Sequence, residues 1–445
     1  IEFSDWSSDV CSSDLDSLRA RLNFQNIKEV FKTALARFQR IPFPRVMYVG
    51  TFAITSLIMY VLADLFSKTY LCSVLSETAL MRVAMGCTTP ECVSFGILSR
   101  VMEGYFLFHL TMVAVSVIIH KNHYQTPLID FHNYQWTAKL VMLLVCILNV
   151  FLFPQYVHTV FYWASIIGAV CFILYSLISF LNFAAVLNVK LADKIDQDRR
   201  FDPYVVLLLV ASFISYFISV AISLFILVRF SHSATSLGDC SSKYWNITVT
   251  LVNLLLSVID TIISVLPAVR ERKPTSGVFQ ASVISAYASY LLLDAVITQP
   301  CSAINGCWEF TDCTSHDLLG SYDIMTFIGM FITIAVVVYQ TYRNSAEVSE
   351  MSFIDDRLPD KPDDLNTDKN MQYVYWKFHL SMCFAIMFML QNLTNWSNPM
   401  FESTAKYSFF IKSAVCVLCH GLYIWTLVAP IILPNRNFRD RKSVV

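Results

Sequence analysis

A chain of 445 residues that is 56% apolar and only 15% charged, with a mean hydropathy of +0.54, cannot all fold into a soluble interior and is read as an integral membrane protein. That excludes a soluble enzyme, a disordered chain and a receptor with a single anchor. The balance of 32 basic against 33 acidic residues removes the bulk positive charge expected of a nucleic-acid binder, so no nucleic-acid partner is expected.

The first fifteen residues, IEFSDWSSDVCSSDL, are a Ser/Asp-rich run that repeats SSD at 7–9 and 12–14. Glu2-Phe3 is also what a common cloning site encodes in frame, so residues 1–15 are set aside as a non-native leader. Residues 16–43 form a basic arm. Within it Leu18, Leu22, Ile27, Phe31, Leu35 and Phe38 fall near helical spacing among Arg19, Arg21, Lys28, Lys32, Arg37 and Arg40. This pattern predicts an amphipathic helix on an anionic inner leaflet.

Ten apolar runs of spanning length follow, at about 44–65, 96–119, 136–154, 158–187, 204–230, 246–269, 277–299, 321–342, 373–394 and 407–433. The expected fold is therefore an all-α polytopic membrane protein with about ten transmembrane helices. Ten is even, so both termini share a side. The fourth and tenth runs exceed a perpendicular span and predict long, tilted helices.

Lys and Arg sort by loop. One side, which includes both termini, holds 24 of the 32, with Lys121 and Lys139 counted among its loop charges, and the other holds six; Lys377 and Lys412 lie inside runs. The positive-inside bias makes both termini cytoplasmic. Seven cysteines, Cys72, Cys87, Cys92, Cys240, Cys301, Cys307 and Cys313, fall on the opposite side, where disulfides survive, and their connectivity stays open. Asn246, Asn392 and Asn395 head glycosylation sequons at or near the outer ends of runs, with a bare interfacial Asn as the default outcome. Residues 345–370, rich in Asp and Glu around Pro359 and Pro362, predict a flexible acidic cytoplasmic loop.

Polar residues inside the runs carry whatever chemistry the chain has. Asn253, Ser257, Asp260 and Ser264 follow i, i+4, i+7, i+11 and share one helical face. Tyr287, Tyr290 and Asp294 do the same in the seventh run, and Ser212, Ser215, Ser219 and Ser223 mark the fifth. In the tenth, Lys412, Cys416, Cys419, His420 and Tyr423 line one side. Ser and Asn of this kind commonly bond neighbouring helices, at about 0.6 kcal/mol each. A mid-span carboxylate is different, costing roughly 2.5–3.5 kcal/mol on insertion scales. Asp260 and Asp294 thus call either for a buried cation, Lys412 or Lys377, or for a place on a transport or lipid pathway. The candidate lipid-groove residues are Asn253, Ser257, Asp260, Tyr290, Asp294, Lys412 and His420.

Cys416-Val-Leu-Cys419 is read as helix packing. His109 stands alone in the second run, His120 and His123 sit at its cytoplasmic end, and no set has metal-ligand spacing. Glu103 is a partner for a neighbouring helix or a wetted interfacial group. Without a GxxxxGK[ST] loop, a GxSxG elbow or an HExxH pair, neither ATP-driven pumping nor those hydrolytic chemistries has support, and no cofactor, metal or catalytic residue is expected.

From Ser276 to Tyr287 the stretch SGVFQASVISAY resembles the SGLLQASVITLY-type signature of the serine incorporator (TDE/TMS) family. Val265-Leu266-Pro267, Leu393-Thr394-Asn395-Trp396 and Leu422-Tyr423-Ile424-Trp425-Thr426-Leu427-Val428-Ala429-Pro430 resemble its VLP, LTNW and LYxWTLVAP motifs. Asn435-Arg436-Asn437-Phe438 is similar to its tail signature, with Asn437 in place of the usual Asp. These motifs lie within residues 44–440. The resemblance implies ten spans in two packed subdomains crossed by long tilted helices. It also implies a role in incorporating serine into phosphatidylserine and sphingolipids, with ATP-independent phospholipid scrambling in some relatives. The leading expectation is a non-enzymatic lipid-handling protein whose polar groove admits headgroups while acyl chains stay in the bilayer. An ion-coupled carrier for serine or another polar solute is the first alternative, and a scaffold for lipid-synthesis enzymes the second. Expected partners are membrane phospholipids, lipid-synthesis enzymes and a second copy of the chain; the expected location is the endoplasmic reticulum, Golgi or plasma membrane.

Overall fold

The structure is a computed structural model, and it describes residues 43–68, 90–121, 128–192, 203–230, 241–272, 276–297, 327–341, 375–394, 396 and 404–432. The leader, the basic arm to residue 42 and the 345–370 loop lie outside the described residues.

Among the described residues every regular element is a helix. Apolar runs without backbone partners in lipid must satisfy their own N–H and C=O groups, and only a helix does so within one segment. In chain order these are α1 (Phe43–Lys68), α2 (Pro90–Lys121), the short α3 (Leu128–Asn133), α4 (Trp136–Val150), α5 (Gln155–Ala192) and α6 (Pro203–Phe230). Then come α7 (Ser241–Val265), the short α8 (Pro267–Arg272), α9 (Val278–Ile297), α10 (Phe327–Thr341), α11 (Tyr375–Leu393) and α12 (Thr404–Ile432). Prolines open α2, α6 and α8, where the missing N–H costs nothing and φ is already helical.

Each of the ten expected runs coincides with one of the longer helices. Seven of these, α1, α2, α5, α6, α7, α9 and α12, are long and apolar enough to cross a membrane. α4 and α10 are shorter apolar helices, and α11 is less apolar because it carries buried His379, Gln391 and Asn392. Those groups are turned toward protein. Gln391 donates to Ser165 Oγ of α5 at 2.6 Å.

Buried side chains form two clusters. The first joins α1, α2, α4, α10 and α11 through residues such as Phe52, Met112, Met330 and Met382. The second joins α9 and α12 with α6 and α8, through Ile226, Val269, Ala288 and Leu427. α5 serves both: Phe161 and Phe172 enter the first cluster, Ala169, Ile173 and Leu177 the second. Its 38 residues would reach about 57 Å, nearly twice the hydrocarbon thickness, so it must tilt or project.

Two helices in the first cluster approach closely at a glycine. A Cβ on Gly104 of α2 would stand 2.5 Å from Ile147 Cα of α4, and backbone cannot swing aside. Gly104→Ala is expected to force α2 and α4 apart and destabilise the protein by about 1–3 kcal/mol. Thermal unfolding in detergent measures this; an unshifted transition would mean the two helices slide without cost.

Candidate functional site

The polar stripe of α7 faces inward along its length: Asn253, Ser257, Asp260 and Ser264 are all buried. Against it packs α12, whose His420 bonds two of them at once. His420 Nδ1 lies 2.7 Å from Asp260 Oδ2, and Nε2 lies 3.1 Å from Asn253 Oδ1. Both Asp260 and His420 are 0% exposed. The Cys416 thiol donates to Asn253 Oδ1 at 3.3 Å and to the Ala288 carbonyl at 3.4 Å. Asn253 Nδ2 donates to Ser289 Oγ of α9 at 2.9 Å, and Ser289 in turn shares a 2.8 Å bond with Ser219 of α6.

Beyond one end of this network Ser276, at the start of the SG motif, donates to the Ser264 carbonyl at 3.3 Å. Beyond the other end lies an ion pair, Lys412 Nζ to Asp294 Oδ2 at 2.7 Å, with side chains 4% and 14% exposed. Ser276 and Asp294 are eighteen positions apart on the α9 segment, roughly 27 Å at helical rise, close to the thickness of a hydrocarbon core. A polar column therefore runs the length of this bundle. It is packed shut in this structure, so these residues line a closed seam and not an open groove.

Trp396 holds the ion-pair end in place. Its φ of 57° is the left-handed conformation, costly for a bulky residue, and it is kept there by an N–H bond to Gln391 O at 2.8 Å. Its carbonyl accepts from Tyr162 of α5 at 3.2 Å, and its ring lies 5.7 Å from Lys412 Nζ. Lys412, not Lys377, is thus the cation that meets Asp294; Lys377 lies near the Trp376 ring instead. Tyr290 stacks on Tyr287, which stacks on Phe180 of α5.

The first cluster holds polar groups that sequence reasoning missed. His109 of α2 is not alone: its Nδ1 lies 3.1 Å from His379 Nδ1, and His379 Nε2 lies 3.1 Å from His132 Nε2. These three rings are joined in series through both nitrogens of His379, so they share no common centre for a metal. His132, on the short α3 outside the spans, has its imidazole pushed down to about 4 by burial and is neutral at physiological pH. Lys139, read from sequence as a loop charge, is buried with its ammonium 3.6 Å from the Trp136 ring. Glu103 meets His158 of α5 at 2.6 Å. The partners of these bonds are up to 270 positions apart, and no spacing rule reaches that far.

Of the disulfide candidates, Cys92 falls in the first turn of α2, with its side chain outside the described residues; Cys72, Cys87, Cys240, Cys301, Cys307 and Cys313 lie outside them altogether, as does Asn395. Asn246 and Asn392 are 5% and 6% exposed, so neither side chain projects into solvent where a glycan would sit.

The family profile described as serine incorporator (Serinc) matches residues 24–357 and 350–436, nearly the whole chain from within the basic arm onward. The chain belongs to the serine incorporator family. A probable serine incorporator of Nematostella vectensis is 29% identical over 68% of this chain and 72% of its own length. Serine incorporator 3 of Bos taurus is 27% identical over 75% and 77%, and a probable serine incorporator of Dictyostelium discoideum is 25% identical over 88% and 94%. In this serine incorporator the motifs that carry the resemblance are joints. The SG pair fastens α9 to α7, the LTNW tryptophan turns the chain after α11 against α5 and Lys412, and the LYxWTLVAP motif lies along α12 beside the polar column.

Proposed function

We propose that this serine incorporator is a non-enzymatic lipid-handling protein that lets phospholipid headgroups pass or dwell along the polar column of α6, α7, α9 and α12, without ATP, while acyl chains stay in the bilayer. Such passage serves the incorporation of serine into phosphatidylserine and sphingolipids. The observation that carries this reading is the column itself: a line of polar groups about as long as the bilayer core is thick, hydrogen-bonded to one another at its centre and one helix away from lipid. That helix is α6. Its inward face is Ser212, Ser219 and Ser223, while Leu209, Phe213, Phe217 and Val228 point outward and are exposed. An outward shift of α6 would uncover Ser219, Ser289 and Asn253 to headgroups, exchanging a few Ser and Asn bonds for bonds to phosphate and water.

The proposal includes the orientation from the charge bias, with both termini cytoplasmic, and residence in the endoplasmic reticulum, Golgi or plasma membrane. Its partners are phospholipids, with lipid-synthesis enzymes and a second copy of the chain as protein partners. Reconstitution into liposomes containing fluorescent phospholipid is the test. Transbilayer exchange several-fold faster than in empty vesicles, without nucleotide, is expected; exchange equal to that of empty vesicles would overturn the reading.

A further inference from the structure

Asp260 and His420 are a buried acid and base whose hydrogen bonds limit where protons can be. The Asn253 amide nitrogen donates to Ser289, which turns its Oδ1 toward His420 and Cys416. An amide oxygen only accepts, so His420 Nε2 carries a hydrogen. A second hydrogen lies between Nδ1 and Oδ2, because a bare imidazole nitrogen and a carboxylate oxygen repel each other at 2.7 Å. With both hydrogens present the pair is electrically neutral.

The surroundings favour that state. Tyr216 of α6 and Cys419 and Tyr423 of α12 face Asp260, Tyr287 of α9 faces Cys419, and none of them supplies positive charge. The other carboxylate oxygen, Asp260 Oδ1, is buried without a hydrogen-bond partner among the described residues. Losing the shared proton with the column shut would leave an unpaired carboxylate in the middle of the bundle, which costs far more than the pair does. Release requires water.

We infer that Asp260 and His420 together bind one exchangeable proton at the centre of the column, and that this proton passes to water only when the column opens, leaving Asp260 ionised and His420 neutral. The link between opening and headgroup passage rests on the lipid-handling reading; the proton site itself does not.

Proton counting sets the test. From about pH 7.5 upward an unfolded chain holds almost no proton on either group, since free Asp and His titrate near 3.9 and 6.5. The folded pair holds one. Stability therefore falls as pH rises through that range, and the unfolding constant rises about tenfold per pH unit. Unfolding of the full chain in detergent, followed from about pH 7 to 8.5, should show at least this slope, and Asp260→Asn with His420→Gln should lower it by about tenfold per pH unit. Asp260→Asn alone provides a second comparison, and the difference in slope from the unaltered chain is what reads the pair. An unaltered chain with a flat profile, or a variant with an unchanged slope, overturns the proton site. In liposomes, lipid exchange by the unaltered chain should rise several-fold from about pH 6 to 8, and this rise should be lost in Asp260→Asn. Exchange that ignores pH overturns the link to opening. Exchange absent at every pH overturns the lipid reading, and the unfolding profiles then decide the proton site by themselves.

Discussion

Replacing His420 with leucine is expected to destabilise the folded protein by about 3–5 kcal/mol, the largest effect of any single change considered for this chain. The pair it breaks is fully buried, and the leucine leaves Asp260 without the imidazole that neutralises it. Asn253 Oδ1 also loses a donor, keeping only the weaker Cys416 thiol. Adding Asp260→Asn to the leucine variant removes the stranded charge and should recover more than half of the loss. Thermal unfolding of the three proteins in detergent checks both statements. A leucine variant within about 1 kcal/mol of the original would show that the pair contributes little beyond its own desolvation cost.

Lys412→Met is the second large effect, expected at about 2 kcal/mol. The ion pair it removes is equally short, but the Asp294 side chain is 14% exposed against 0% for Asp260, so the carboxylate left behind is less deeply buried. The double variant with Asp294→Asn separates the pair energy from packing lost around the lysine stem. A coupling energy of about 1 kcal/mol or more is expected from that cycle, and a value near zero would mean that Lys412 acts mainly through the packing of its stem.

How much of this was legible before the structure depends on the range of the signal. The stripe Asn253, Ser257, Asp260 and Ser264 was visible as one face because helical period is local, and the whole face is buried. That Asp294 wanted Lys412 was readable as a choice between two cations. That Asp260 takes His420 was not, since the choice depends on how far α12 is displaced along α7, and apolar composition says nothing about displacement. The same is true of Glu103 with His158, and of His109 with His379 and His132: each of these residues looks isolated in its own helix.

Lys139 shows the opposite error. Charge alone placed it with the cytoplasmic loops, yet the first turn of α4 folds its ammonium over Trp136 and toward the His132 carbonyl. Gly104 offered no sequence signal at all, because a close approach exists only once α4 is present.

The sequence by itself determined that this is a membrane protein, where its helices run, which of their faces are polar and which family it resembles. All of these follow from composition, from the 3.6-residue period and from contiguous motifs, which need no knowledge of neighbours. Only the tertiary structure decided that the polar faces meet in a closed column, that Asp260 is neutralised by His420, and that Trp396 links α5, α11 and α12. Those outcomes depend on helix packing in three dimensions, where residues hundreds of positions apart come within hydrogen-bond distance and burial decides which charges can persist.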